Sequence, residues 1–127
     1  MANEVYAFQV SVVGKPDWGQ VINARSRGKA KSEYWHDLRE SWDIPFTAVR
    51  AQKLGLPRTT PGFARTAEYR GKPDFHCGTR VVVGESHGVI VGSNASANFD
   101  VLFDDDAPKY AGLRLNVHPQ GIEKEVL

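Results

Sequence analysis

Gly78-Thr-Arg-Val-Val-Val-Gly-Glu-Ser-His-Gly-Val-Ile-Val-Gly-Ser-Asn-Ala-Ser-Ala-Asn-Phe-Asp-Val-Leu-Phe103 opens the stretch, running on to Pro119, that decides the fold. Runs of β-branched residues alternate here with turns that carry glycine or asparagine, and such spacing predicts short antiparallel strands. Strands are expected at Arg80–Val83, Gly88–Val91, Phe99–Phe103 and Leu113–Val117, with a further one at Ile122–Val126. Five short strands in about fifty residues leave few ways to protect sheet edges other than bending toward a small barrel. The Gly84–Gly88 segment reads as a turn that contains Ser86 and His87.

Upstream, Val5–Val13 is rich in β-branched and aromatic residues and reads as a strand. Gly14-Lys-Pro-Asp-Trp-Gly19 has turn composition, and Val21–Ala24 reads as a second, short strand closing a hairpin. Ser26 is placed to cap a helix in which Tyr34, Leu38 and Trp42 recur at i, i+4 and i+8, with Pro45 as its stop. That spacing assigns Tyr34 and Trp42 to the core. Residues 46–53 read either as a strand that returns to the hairpin or as a short helix; the strand is preferred because it completes a ββαβ unit. Thr60-Pro61 ahead of Phe63–Arg70 and Gly71 has the proline-first, glycine-last order of a short helix. The fold class expected is α+β, with a ββαβ-like N-terminal part over residues 1–55, a linker with a short helix over 56–77, and a small β-barrel over 78–127.

Composition narrows the function classes. The chain has 127 residues, 41% of them hydrophobic and 24% charged, which is globular rather than disordered. A single cysteine, Cys77, rules out an intramolecular disulfide framework. No basic, apolar leader is visible at the N-terminus and no apolar run is long enough to span a bilayer, so a cytoplasmic location and no membrane partner are expected. Net charge is +1, but residues 1–72 carry 12 Lys+Arg against 7 Asp+Glu while residues 73–127 carry 4 against 8. A basic first part and an acidic second part follow from that division.

The stretch Gly78–Phe103 resembles the KOW and Tudor-like group of SH3-like barrels. The resemblance lies in a glycine before a valine-rich strand, a turn, Gly88-Val-Ile-Val-Gly92, a loop and a second apolar strand. Phe99-Asp-Val-Leu-Phe-Asp-Asp105 resembles the strand and acidic turn of Tudor-like modules, and Asn94–Phe103 followed by Asn116-Val-His-Pro119 resembles small phage and prophage proteins. The resemblance covers about a third of the chain and implies an SH3-like barrel that binds RNA, DNA, modified peptides or proteins. Versions that bind nucleic acid usually carry basic loops, whereas this one carries Asp104, Asp105 and Asp106. The resemblance therefore bears on fold more than on ligand.

Two constellations are candidates for binding. Arg25, Arg27, Lys29 and Lys31 fall at a strand-to-helix junction, where helix N–H groups and flanking cations suit a nucleic-acid phosphate. Arg50 and Lys53 join that surface if residues 46–53 form a strand. The bland reading is solvated side chains. Trp18, Trp35, Trp42, Tyr6, Tyr34 and Phe46 could offer a stacking platform, although helical spacing favours core packing for most. Trp18, at a loop tip, is either folded back or offered to a partner. The second constellation gathers partner-binding candidates: Asn94 and Asn98 in a loop at the barrel rim, suited to αL or Asx-turn geometry, His118 facing the same rim, the acidic Asp104–Asp106, and Trp18 in the N-terminal part.

Chemistry beyond binding finds little support in the sequence. His76, Cys77, His87 and His118 lack metal-ligand spacing, and Asp104–Asp106 lacks the alternation of a calcium loop. No phosphate-loop or nucleophile signature is present. Neither an enzyme nor a cofactor or metal is expected. The sequence points to a binding or adaptor protein, of phage type by resemblance, that contacts nucleic acid or a nucleic-acid-handling protein through its basic part. The alternative is a protein–protein module: the acidic barrel meets a basic partner, mimics nucleic acid, or meets the basic part of another copy in a homo-oligomer.

Overall fold

In the computed structural model, which describes residues 4–126, the first apolar run forms β1 (Tyr6–Val12). Its alternate residues Phe8, Val10 and Val12 turn to one face and are buried, as a half-covered strand requires. The hairpin turn is only Val13-Gly14, with Gly14 at φ 81°, and β2 (Lys15–Ala24) begins at once. The turn expected over residues 14–19 is thus corrected: Pro16, Trp18 and Gly19 lie in a ten-residue strand. β2 is an edge strand, where a proline costs no ladder hydrogen bond that matters.

Ser26 caps α1 (Arg27–Arg39), its side chain accepting from the Lys29 N–H at 3.2 Å. Ala30 and Tyr34 face the sheet and are buried, and Leu38 completes the stripe. The Tyr34 hydroxyl donates to the Trp18 carbonyl, tying helix to edge strand, and burial pushes its pKa up. A single 3₁₀ turn (Phe46–Ala48) leads into β3 (Val49–Gly55), which pairs antiparallel with β1. Residues 46–53 are therefore part turn and part strand. The sheet order β2-β1-β3, with α1 on one face, is a ββαβ unit whose core is Phe8, Val10, Val12, Ala24, Ala30, Tyr34 and Val49.

The chain divides at residue 56 into two units, and the second begins at Pro57. Thr60 caps α2 (Pro61–Tyr69) by accepting from the Phe63 N–H, and Pro61 occupies the first turn. Gly71, at φ 71°, lies just beyond the helix end. Residues 56–77, read from sequence as a linker, supply Phe63, Ala67, Phe75 and Cys77 to the second core.

A five-stranded antiparallel sheet follows: β4 (Arg80–Val83), β5 (Ser86–Ser93), β6 (Phe99–Phe103), β7 (Arg114–Val117) and β8 (Glu123–Lys124). Its order is β7-β6-β5-β4-β8, an open sheet with β7 and β8 at the edges. Ser86 and His87 belong to β5 rather than to a turn, because the β4–β5 connection is just Gly84-Glu85. Gly84, at φ 65°, supplies the conformation that this two-residue link needs. Val81, Ile90, Val101, Phe103 and Ile122 pack with Phe63 and Phe99, whose ring centroids lie 5.1 Å apart. Burial of each large aromatic or aliphatic side chain contributes roughly 1.5–3 kcal/mol, so these few residues carry most of the unit's stability. The fold is mixed α+β, with two helices and two antiparallel sheets among the described residues. None of these helices is long and apolar enough to cross a membrane.

Candidate nucleic-acid interface

The cations singled out in the sequence do not form one face. Arg27 and Lys31 are four residues apart on α1 and share a side, whereas Lys29 projects roughly 160° away from Lys31 at 3.6 residues per turn. Arg25 sits at the strand-to-helix junction and is half-buried. On β3, Arg50 pairs in register with Ser11 and Lys53 with Phe8, so they leave opposite faces of the sheet. The Arg50 guanidinium donates to the Thr47 carbonyl at 2.6 Å and to the Val49 carbonyl at 3.2 Å. Lys53 instead lies with its ammonium 3.7 Å from the Tyr6 ring centroid.

What the structure does bring together is cations with aromatic rings. Lys31 lies over Phe46 at 5.0 Å, Arg39 over Trp35 at 4.9 Å and Lys15 over Trp18 at 5.2 Å. Lys31, Trp35 and Arg39 are spaced i, i+4 and i+8 and so line one flank of α1. Phe46 joins that flank, 5.7 Å from Trp35. The result is a row of two adjacent rings, Phe46 and Trp35, flanked by Lys31 and Arg39. Trp42 pairs with Trp18 at 5.0 Å.

Trp42 is 55% exposed, which corrects its expected place in the core. The cause is the helix end: α1 stops at Arg39, and the backbone N–H groups of Ser41 and Trp42 both turn back to the Leu38 carbonyl. Trp42 therefore never completes the Tyr34–Leu38 stripe. Trp18 is half-buried within β2, packed against the core of its unit and tilted against Trp42 at an interplanar angle of 47°. Sequence reading missed Lys15 and Arg39 altogether, although the i+4 spacing of Arg39 from Trp35 was a usable signal.

The second constellation is more tied down than its composition suggests. The Asn94 side chain accepts from the Ser96 and Asn98 N–H groups, the Asx-type turn expected, and donates to Asp100 at 3.0 Å. The left-handed conformation falls on Ala97, at φ 58°, not on either asparagine. Asn98 accepts from Arg70 at 3.2 Å and donates to Asn116 at 2.9 Å. The His118 ring accepts from the Gln120 N–H and caps a 3₁₀ turn.

Asp104 does not belong to a solvated acidic triad. It is buried and receives a two-pronged contact from Arg80, at 2.7 and 2.5 Å. That carboxylate raises the Arg80 pKa. Asp105 and Asp106 remain exposed. Glu125 accepts from Arg80 at 3.2 Å and lies 2.6 Å from the His87 ring, and the His87 contact chiefly holds its carboxyl below the usual glutamate range. These groups fasten the chain end beside β4 and β5. Cys77 is buried in the second core, and among the described residues no three His, Cys, Asp or Glu side chains converge to hold a metal.

Comparison with known proteins finds no matching family model, no matching curated protein and no matching solved structure.

Proposed function

We propose that the protein is a non-enzymatic binding protein whose N-terminal unit contacts nucleic acid. The observation that carries this reading is the row of Lys31, Phe46, Trp35 and Arg39, joined by Lys15 over Trp18. Cations held over partly exposed rings offer a phosphate backbone its counter-charge and a base its stacking surface on one side of a helix. The test is charge reversal: Lys31→Glu with Arg39→Glu should weaken oligonucleotide binding at least tenfold at low salt. Unchanged affinity overturns the reading.

The second unit is proposed as an SH3-like barrel of the KOW or Tudor-like kind, found in small phage proteins. Support comes from its order of short antiparallel strands and from the two-residue β4–β5 link. A second reading follows from its acidic loop: Asp105 and Asp106 stay exposed while Asp104 is committed to Arg80, so a basic protein partner would meet two carboxylates there. Asp105→Lys with Asp106→Lys should abolish capture of such a partner and leave oligonucleotide binding unchanged.

A further inference from the structure

We infer that the loop joining α1 to β3 reads unpaired bases, so that the nucleic acid bound is single-stranded. The inference rests on the nucleic-acid reading above and adds what that reading leaves open. Residues 40–48 present two exposed aromatic rings, Trp42 at 55% and Phe46 at 36% exposure. Each is backed by a half-buried tryptophan: Trp42 by Trp18 at 5.0 Å, Phe46 by Trp35 at 5.7 Å.

The loop backbone is tied down along its length. Trp42 N–H bonds to the Leu38 carbonyl at 2.9 Å. The Trp35 indole N–H donates to the Ile44 carbonyl at 2.7 Å, which fixes the middle of the loop. Ala48 N–H closes the 3₁₀ turn on Pro45, and Val13 N–H bonds to the Ala48 carbonyl at 2.9 Å. Rings held in place before binding lose little conformational freedom when a ligand arrives.

Charge selects the ligand. Lys31 and Arg39 sit against the Phe46–Trp35 rings and Lys15 against Trp18. An apolar peptide would gain nothing from them, and an acidic peptide would not use the exposed ring faces. A duplex hides its base faces in the stack, so two ring faces flanked by cations fit a single strand, with bases on Trp42 and Phe46 and phosphates at the lysines and arginine.

The test uses the full chain, fluorescence anisotropy, a thymidine dodecamer, a duplex of equal length and polyglutamate of equal charge. The single strand is expected to bind at least tenfold tighter than the duplex. Trp42→Ala and Phe46→Ala should each weaken the single strand about 5- to 100-fold and change the duplex less than twofold. Trp42→Tyr and Phe46→Tyr, which keep a stacking face, should restore most of the loss and so separate stacking from folding. Equal binding of strand and duplex, with both alanine variants silent and Lys31→Glu with Arg39→Glu still disruptive, overturns this inference and leaves the broader reading standing. Polyglutamate competing as well as the dodecamer also overturns it, in favour of an acidic protein partner. A wild-type chain that binds neither nucleic acid overturns both.

Discussion

At the scale of single residues, backbone conformation and close approach make the sharpest demands. Ala97 holds a left-handed φ of 58° with a methyl group that disfavours it. Removing that methyl relieves about 1–2 kcal/mol of strain and costs up to about 1 kcal/mol of chain entropy. Ala97→Gly is therefore expected to stabilise the second unit slightly, raising its urea midpoint, and a lowered midpoint would contradict the account. Gly88 is the opposite case: a Cβ there would meet the Leu102 carbonyl oxygen at 2.8 Å. Neither backbone can yield easily, so Gly88→Ala should cost about 1–3 kcal/mol by the same denaturation measurement. Glu125 gives a pH dependence whose sign is set. Its folded pKa lies below its unfolded one, chiefly through His87, so its stabilisation is present above the ordinary glutamate range. That stabilisation is lost as pH falls through the lowered value. Stability of the second unit measured against pH should fall below about pH 4.5, and Glu125→Gln should flatten that fall. A Gln variant with the wild-type profile would show that Glu125 is not the titrating group.

Among the elements, the two helices and most strands were legible because local signals agreed with tertiary demand. Ser26 and Thr60 both cap as read, and Arg80–Val83 and Phe99–Phe103 are strands at the expected bounds. Failures came where composition and pairing disagreed. Pro16, Asp17 and Gly19 have turn composition and fall where the register with β1 shifts, between Lys15 and Gln20, yet Lys15–Ala24 runs as one strand. Ser86 and His87 look like turn residues, but a two-residue link is all the β4–β5 hairpin needs. Trp42 fits the helical period and still leaves the core, since periodicity says nothing about where a helix ends. The candidate site was legible as a set of residue types and not as an arrangement. Lys31 and Phe46 were each named, but their contact depends on the 3₁₀ turn that brings Phe46 back to α1. The Trp35 indole hydrogen bond to Ile44 should matter to that element more than to the core. Trp35→Phe keeps a ring and removes the bond, so amide exchange at residues 42–48 is expected to speed up severalfold while the β1 amides stay protected. Equal exchange throughout would show that the loop is fixed by other contacts.

Across the whole molecule, the charge polarity changes meaning once the units are known. Cut at residue 72, the sequence reads as a basic part followed by an acidic one. Cut at the observed boundary after residue 56, the first unit carries 8 Lys+Arg against 6 Asp+Glu and the second 8 against 9. Arg58, Arg65, Arg70 and Lys72 belong to the second unit, and Arg70 is bonded to the Ala97 carbonyl and to Asn98. Global charge thus gives little steering in either direction, and attraction between opposite halves of two copies loses its basis. Binding, if electrostatic, has to come from the local row on α1 and its aromatic partners. The most direct measurement is the salt dependence of single-strand binding for the wild-type chain and for Lys31→Glu with Arg39→Glu. Each phosphate contact contributes about 0.7 to the slope of log affinity against log salt for a single strand. The account predicts a steep wild-type slope that falls by about 1.4 in the double variant, together with a loss of affinity; identical slopes and affinities for the two proteins would contradict it.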